Sequence, residues 1–357
     1  MLITLSAVKN RRVSTPSAFP NATGLLGKCW ITHCALWGVY WASITMGLVC
    51  AGWSIELSFL TWAAVGSAVI STAIVVFSLR QAGLSAATVL KCLVSVLLVV
   101  SASLALGGAS HDFSADGQTY QQQAILAMMH GWNPIRDPHY NGPFSIWLSH
   151  YAKGAWILVA AVSAPLSIEF GKAICWLFAI SAAILSYVLF VKQFLLSRST
   201  ALICAALFAC NPIFASQIQT FYVDGLVGSL VALAAIATYM LVLNPSIFLA
   251  GAVAGCVAIA INLKFTAGPF VIVLIAVISL WCVLTRQMTA AKSLIYASTA
   301  GIIIGGCIGI NGVLKNQVQH LSAVRCRHGE NLQTSDYPGA RRRHDHARRP
   351  VLHPIHC

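Results

Sequence analysis

Between two long hydrocarbon runs the chain carries a polar and aromatic stretch, residues 111–143, that gathers Asp112, Asp116, Tyr120, His130, Arg136, Asp137 and His139. Only 9% of all residues are charged, so this concentration in one loop points to more than connection. The residue types suit a reaction at a membrane surface between a lipid-borne substrate and something outside. A carboxylate takes a proton from an acceptor hydroxyl, and cations stabilise a departing phosphate. Downstream, Lys153, Asp224 and Lys264 add two cations and an acid beside later apolar runs. Each also has a plainer role: Asp116 stands where a helix N-cap would, Lys153 is placed to snorkel to headgroups, and Asp224 to cap a span. Lys264, alone between apolar segments, is either a functional cation or a departure from the positive-inside bias.

The elements that must position these residues are membrane helices. The chain has 357 residues, 58% of them hydrophobic, with a mean hydropathy of +0.78, outside the range of soluble domains. Several runs approach the roughly 20 apolar residues that a spanning helix needs. The reading is all-α: a polytopic transmembrane bundle of about nine spans with a helical outer loop. Residues 1–28 form a basic cytoplasmic N-terminus with no preceding apolar run, which speaks against a cleaved signal peptide. Residues 29–107 hold three spans, 108–167 the outer loop, and 168–311 six more spans. This count puts Arg80, Lys91, Lys192, Arg198, Arg286 and Lys292 inside, and Glu56, Asp112, Asp116, Asp137, Glu169 and Asp224 outside.

Within the loop, residues 118–130 predict one amphipathic helix with Ile125, Met128, Met129 and Trp132 on its apolar face, stopped by Gly131. Residues 144–166 are apolar but interrupted by His150, Lys153 and Gly154. A crossing there would move every later basic cluster outside, so the segment reads as a helix in the outer interface with its tryptophans at headgroup level. The 12 cysteines lie mostly singly in apolar runs without a CxxC pair, so they read as small packing residues rather than disulfides or zinc ligands.

From about Leu321 the chemistry changes. Seven arginines appear with histidine and proline, and no lysine follows Lys315. A basic tail for anionic lipid or nucleic acid is one reading and a histidine-rich metal site a second; a disordered segment, the out-of-frame end of a longer gene, is the favoured one.

The motifs A-D-G-Q-T-Y (115–120), G-W-N-P-I-R-D-P (131–138), H-Y-A-K-G-A-W-I-L (150–158), F-Y-V-D-G (221–225) and L-K-F-T-A (263–267) resemble polytopic GT-C glycosyltransferases. The similarity is nearest to bacterial members related to protein O-mannosyltransferases and lipid A aminoarabinose transferases. It implies a GT-C-like fold, a polyprenyl-phosphate sugar donor, and Asp116 as catalytic base with Asp112 as the less well aligned neighbour. Tyr120, His130, Arg136, Asp137, His139, Lys153, Asp224 and Lys264 become substrate-binding candidates, with Lys153 near the position that contacts the lipid phosphate in relatives. Such relatives often carry Tyr-His after the acid, where this chain has Tyr120-Gln121. A divalent metal, with Asp116 and Asp224 as ligands, is left open. Relatives continue through further spans, so the resemblance implies a C-terminally truncated chain. The resulting expectation is an integral membrane glycosyltransferase, in the bacterial inner membrane, acting on its outer face and binding no nucleic acid. The alternatives are a multispan transporter or lipid flippase, or an inactive truncated fragment.

Overall fold

The computed structural model describes residues 29–309. The basic N-terminus and the arginine-rich tail lie outside the described residues. The described chain is helical, with no strand among those residues. The first three expected spans are α1 (Trp30–Ser54), α2 (Leu60–Gln81) and α3 (Ala86–Gly107). The loop then forms a π turn (Gly117–Gln121), α4 (Gln122–Met129), α5 (Ser145–His150) and α6 (Gly154–Ser163). A 3-10 turn (Ile168–Lys172) leads into α7 (Ala173–Lys192). After it come α8 (Arg198–Ala209), α9 (Pro212–Gln217), α10 (Asp224–Leu243), α11 (Ile247–Leu263), α12 (Ala267–Leu284) and α13 (Met288–Gly309).

Seven helices are long and apolar enough to cross a membrane, counting the 3-10 turn with α7, which is the mark of a multi-pass integral membrane protein. The two remaining expected spans are shorter helices, α8 of 12 residues and α11 of 17. α8 stops because Pro212 holds Asn211 in extended backbone (ψ 156°), and Asn211 Oδ1 then caps α9 by accepting from Phe214 N at 3.0 Å. α11 is about 25 Å long at 1.5 Å per residue and buried nearly all round, at the centre of the bundle. α1, α7 and α10 are also largely buried, whereas α2, α3, α12 and α13 turn broad apolar faces outward, as lipid-facing helices do.

Small residues let the central helices close up. A Cβ on Gly305 of α13 would sit 3.0 Å from Ala258 Cα of α11, and one on Gly301 would sit 2.6 Å from Ala254 O. This is the small-residue contact that brings membrane helices together, and Asn262 Nδ2 crosses the same seam to donate to Gly305 O at 3.0 Å. α1 is tied to α2 by Trp37 Nε1 donating to Thr72 Oγ1 (3.1 Å), Trp41 Nε1 donating to Ala64 O (3.0 Å) and a His33–Ser78 hydrogen bond (3.0 Å).

The loop departs from expectation in two places. The helix predicted over 118–130 starts as a π turn, with Thr119 outside helical geometry (φ −90°, ψ −105°), and becomes α-helical only from Gln122. Its end is as expected: Gly131 takes φ +100°, Gly131 N donates to Met128 O and Trp132 N to Ala127 O, the Schellman pattern. The segment 144–166 forms two helices rather than one, broken at Tyr151–Lys153. α6 lies among protein, not headgroups: Trp156 is buried, as are Ala155 and residues 157–161. Gly154 at its start packs on the Asn262 carbonyl and Ser163 at its end on Gly171, so the helix runs across the loop end of the bundle. An all-apolar helix is driven into the protein interior.

Candidate functional site

The two acids of the loop have different surroundings. Asp112 is 1% exposed. Its Oδ1 accepts from Ser114 N (2.8 Å) and Ser114 Oγ (2.6 Å), and its Oδ2 from Phe221 N (2.7 Å), which pins the loop to the segment before α10. Gly117 makes room for it, since a Cβ there would fall 1.9 Å from Asp112 Oδ2. Asp116 is exposed. It makes no side-chain cap to the π turn; Tyr120 Oη donates to its Oδ2 at 3.5 Å, the long limit of a hydrogen bond. Asp116 is therefore open to a hydroxyl from outside, and Asp112 is occupied as an anchor.

Aromatic rings run from Asp116 towards Lys153. Tyr120 stacks on Trp147 (centroids 5.7 Å) and meets Tyr151 (5.4 Å), and Tyr151 stacks on Trp156 (6.2 Å). Burial, then the bond to Tyr151 and the neighbouring Asp116 charge, push the Tyr120 hydroxyl well above the usual phenol range, so it stays a donor. Gln121 is buried and accepts from Trp156 Nε1. Lys153 Nζ donates to Ser149 O (3.2 Å) and Tyr151 O (2.5 Å) and lies 5.3 Å from the Trp156 ring centroid. Burial brings its amine down to about 7, and no carboxylate among the described residues pairs with it. A half-buried ammonium held by carbonyls and a ring is short of one negative charge.

The other sequence-derived candidates are placed as follows. Lys264 forms an ion pair with Asp224, both half-exposed, and joins the Lys153 region through Asn262, on which Gly154 packs. Arg136 pairs with Glu56 and donates to Ser54 O at 2.7 Å, while Asn133 Nδ2 donates to Trp53 O at 2.9 Å, so this part of the loop clasps the end of α1. His130 is exposed and bonded to Leu126 O through Nδ1 at 2.7 Å. Asp137 and His139 are exposed, with the Asp137 carbonyl accepting from Trp132 Nε1.

Sequence reasoning missed Lys172. It is 1% exposed, bonded to Ser110 O and Glu169, and lies over the Phe221 ring; Glu169 also meets His111 at 3.2 Å. This buried pair locks the start of the loop to the start of α7, and its signal was the i, i+3 spacing of Glu169 and Lys172 ahead of an apolar run. Trp147 was read from sequence only as an interfacial tryptophan, and Tyr151 was not singled out. For a metal, Asp112 is fully engaged and Asp224 is ion-paired, and among the described residues no group of three His, Cys, Asp or Glu is arranged to hold one. What the arrangement offers is an exposed carboxylate, a buried phenol donor beside it, and a half-buried lysine reached through the aromatic rings. No protein-family model, curated protein or solved structure matches the chain.

Proposed function

We propose that the protein is a membrane glycosyltransferase that moves a sugar from a polyprenyl-phosphate donor to an acceptor hydroxyl on the outer face of a bacterial inner membrane. The observation that carries the reading is the division of labour in the motif at 115–120. Asp112 is consumed by anchoring bonds while Asp116 stands exposed beside a protonated Tyr120, in the motif that resembles the GT-C catalytic acid. Supporting it, Lys153 has no anionic partner among the described residues, and Lys264 holds a half-exposed ion pair nearby.

In this mechanism Asp116 takes the proton of the acceptor hydroxyl. The oxygen bonds to the anomeric carbon as the bond from that carbon to the phosphate oxygen breaks, and the electron pair departs on polyprenyl phosphate. Lys153 and Lys264 neutralise the charge gained by the leaving group. A phosphate leaving group needs charge stabilisation more than protonation, so one base suffices. The charged residues of the long helices lie near their ends, Lys91 being the deepest and exposed, which favours chemistry at a membrane surface over a charged transport path. Replacing Asp116 by Asn should lower transfer by about 10²-fold or more, with membrane insertion and thermal midpoint unchanged. Transfer by Asp116→Asn at the native rate would remove Asp116 as the base.

A further inference from the structure

Trp147 is 48% exposed, yet it is not loose. Its ring leans on Tyr120 at 5.7 Å and 24°, and Tyr151 meets it at 5.9 Å and 62°. The next residue, Leu148, is fully buried, and Ser149 Oγ accepts from Tyr140 N at 3.3 Å. Phe144 takes a left-handed conformation (φ +60°) at the start of α5, which costs a non-glycine residue about 1–2 kcal/mol and sets the direction of the helix. One face of the indole is thus held against Tyr120, and the rest is open beside the tyrosine that reaches Asp116.

The indole N–H is also uncommitted. Trp132 and Trp156, in the same layer, donate to Asp137 O and Gln121 Oε1. Trp147 has no acceptor among the described residues. A fixed aromatic face with a free donor at its edge and a carboxylate close by complements a molecule with one apolar face and hydroxyls around its rim. A sugar ring has that form.

We propose that Trp147 is a stacking platform on which the sugar ring lies, with the ring hydroxyls turned towards Asp116 and the indole N–H. This rests on the transferase reading for the identity of the reaction, but sugar binding at Trp147 stands by itself. Trp147 is a binding and positioning residue and takes no part in the bond changes.

The first measurement is a titration of the detergent-solubilised full chain labelled with 5-fluorotryptophan, following the fluorine resonance that Trp147→Phe removes. Hexose and pentose 1-phosphates are the probes, and the same sample is reconstituted with brominated lipids. The expected result is a saturable shift of that one resonance with at least one sugar phosphate, absent with inorganic phosphate. In the transfer assay, Trp147→Phe, which keeps a ring but loses the indole N–H, should raise KM for the donor less than Trp147→Ala does. Trp147→Ala should raise KM for the donor by about tenfold, the worth of one good aromatic contact, and change kcat less. A resonance that no sugar moves while brominated lipid perturbs it would overturn the proposal and make Trp147 a headgroup anchor; native KM in Trp147→Ala would overturn it too. A wild-type chain that shifts the resonance but transfers no sugar would defeat the transferase reading and leave the sugar platform standing.

Discussion

Lys153 gives the account its sharpest quantitative consequence. Its amine is half-buried beside Trp156, with only carbonyl hydrogen-bond partners among the described residues, and lies at about 7, far below the usual lysine range. Only the protonated form holds an anion. For a single group with that midpoint the charged fraction falls from about 0.9 at pH 6 to about 0.1 at pH 8. Apparent affinity scales with the competent fraction, so the donor should bind about tenfold more weakly at pH 8 than at pH 6. The donor is a phosphodiester and keeps one charge over this range, so the dependence belongs to the protein. The assay is KM for a short-chain polyprenyl-phosphate sugar from pH 6 to 8, with Lys153→Arg alongside, whose guanidinium stays charged and should flatten the profile. A flat wild-type profile, or a Lys153→Arg profile as steep as the native one, would refute the assignment. The sign carries over to folding. A lysine depressed in the folded state is protonated more in the unfolded chain above pH 7, so stability should rise between pH 7 and about 10, and this rise should vanish in Lys153→Met.

Two further predictions concern what holds the site. Asp112→Ala strips the acceptor from Phe221 N and both Ser114 donors, and with a buried donor left unpaired it should cost about 3 kcal/mol. The expected outcome is a thermal midpoint several degrees lower, and a native midpoint would show that Asp112 does not anchor the loop. Gly305→Val would drive a branched side chain into Ala258, 3.0 Å from the built Cβ, and displace the Asn262 bond. A loss of about 2 kcal/mol is expected, read as a lower midpoint in detergent, and an unchanged midpoint would contradict the close seam between α11 and α13.

Much of the scaffold was legible because hydrocarbon length is a one-dimensional signal. α1, α2, α3, α10 and α12 fall close to the runs read from sequence. The failures come from what a run does not encode. Asn211-Pro212 breaks a helix inside a stretch whose composition looks continuous, and the burial of α6 depends on neighbours that come from α1, α2 and α11, distant in sequence. In the loop, the gathering of polar residues was visible, but their division into anchors and open groups was not. Asp112 and Asp116 are four residues apart and chemically identical. The Ser114 donors and Phe221 N, which arrives 109 residues later, separate them. Lys172 was hidden for the opposite reason: a charge that opens an apolar run reads as a span boundary, whereas here its pairing with Glu169 and Ser110 lets it be buried.

The loop is thus a scaffolded surface. Arg136, Asn133, Asp112 and Lys172 fasten it to the ends of α1, α7 and α10, and Asp116 is left exposed beside Tyr120. The most direct test of that chemistry is to reconstitute the purified chain in liposomes containing polyprenyl phosphate with a labelled sugar, and to follow both the label and the lipid. The account predicts that label leaves the lipid in step with the appearance of free polyprenyl phosphate, and that Asp116→Asn stops both. Intact labelled lipid crossing from one leaflet to the other, with no cleavage, would contradict the account and mark the protein as a flippase.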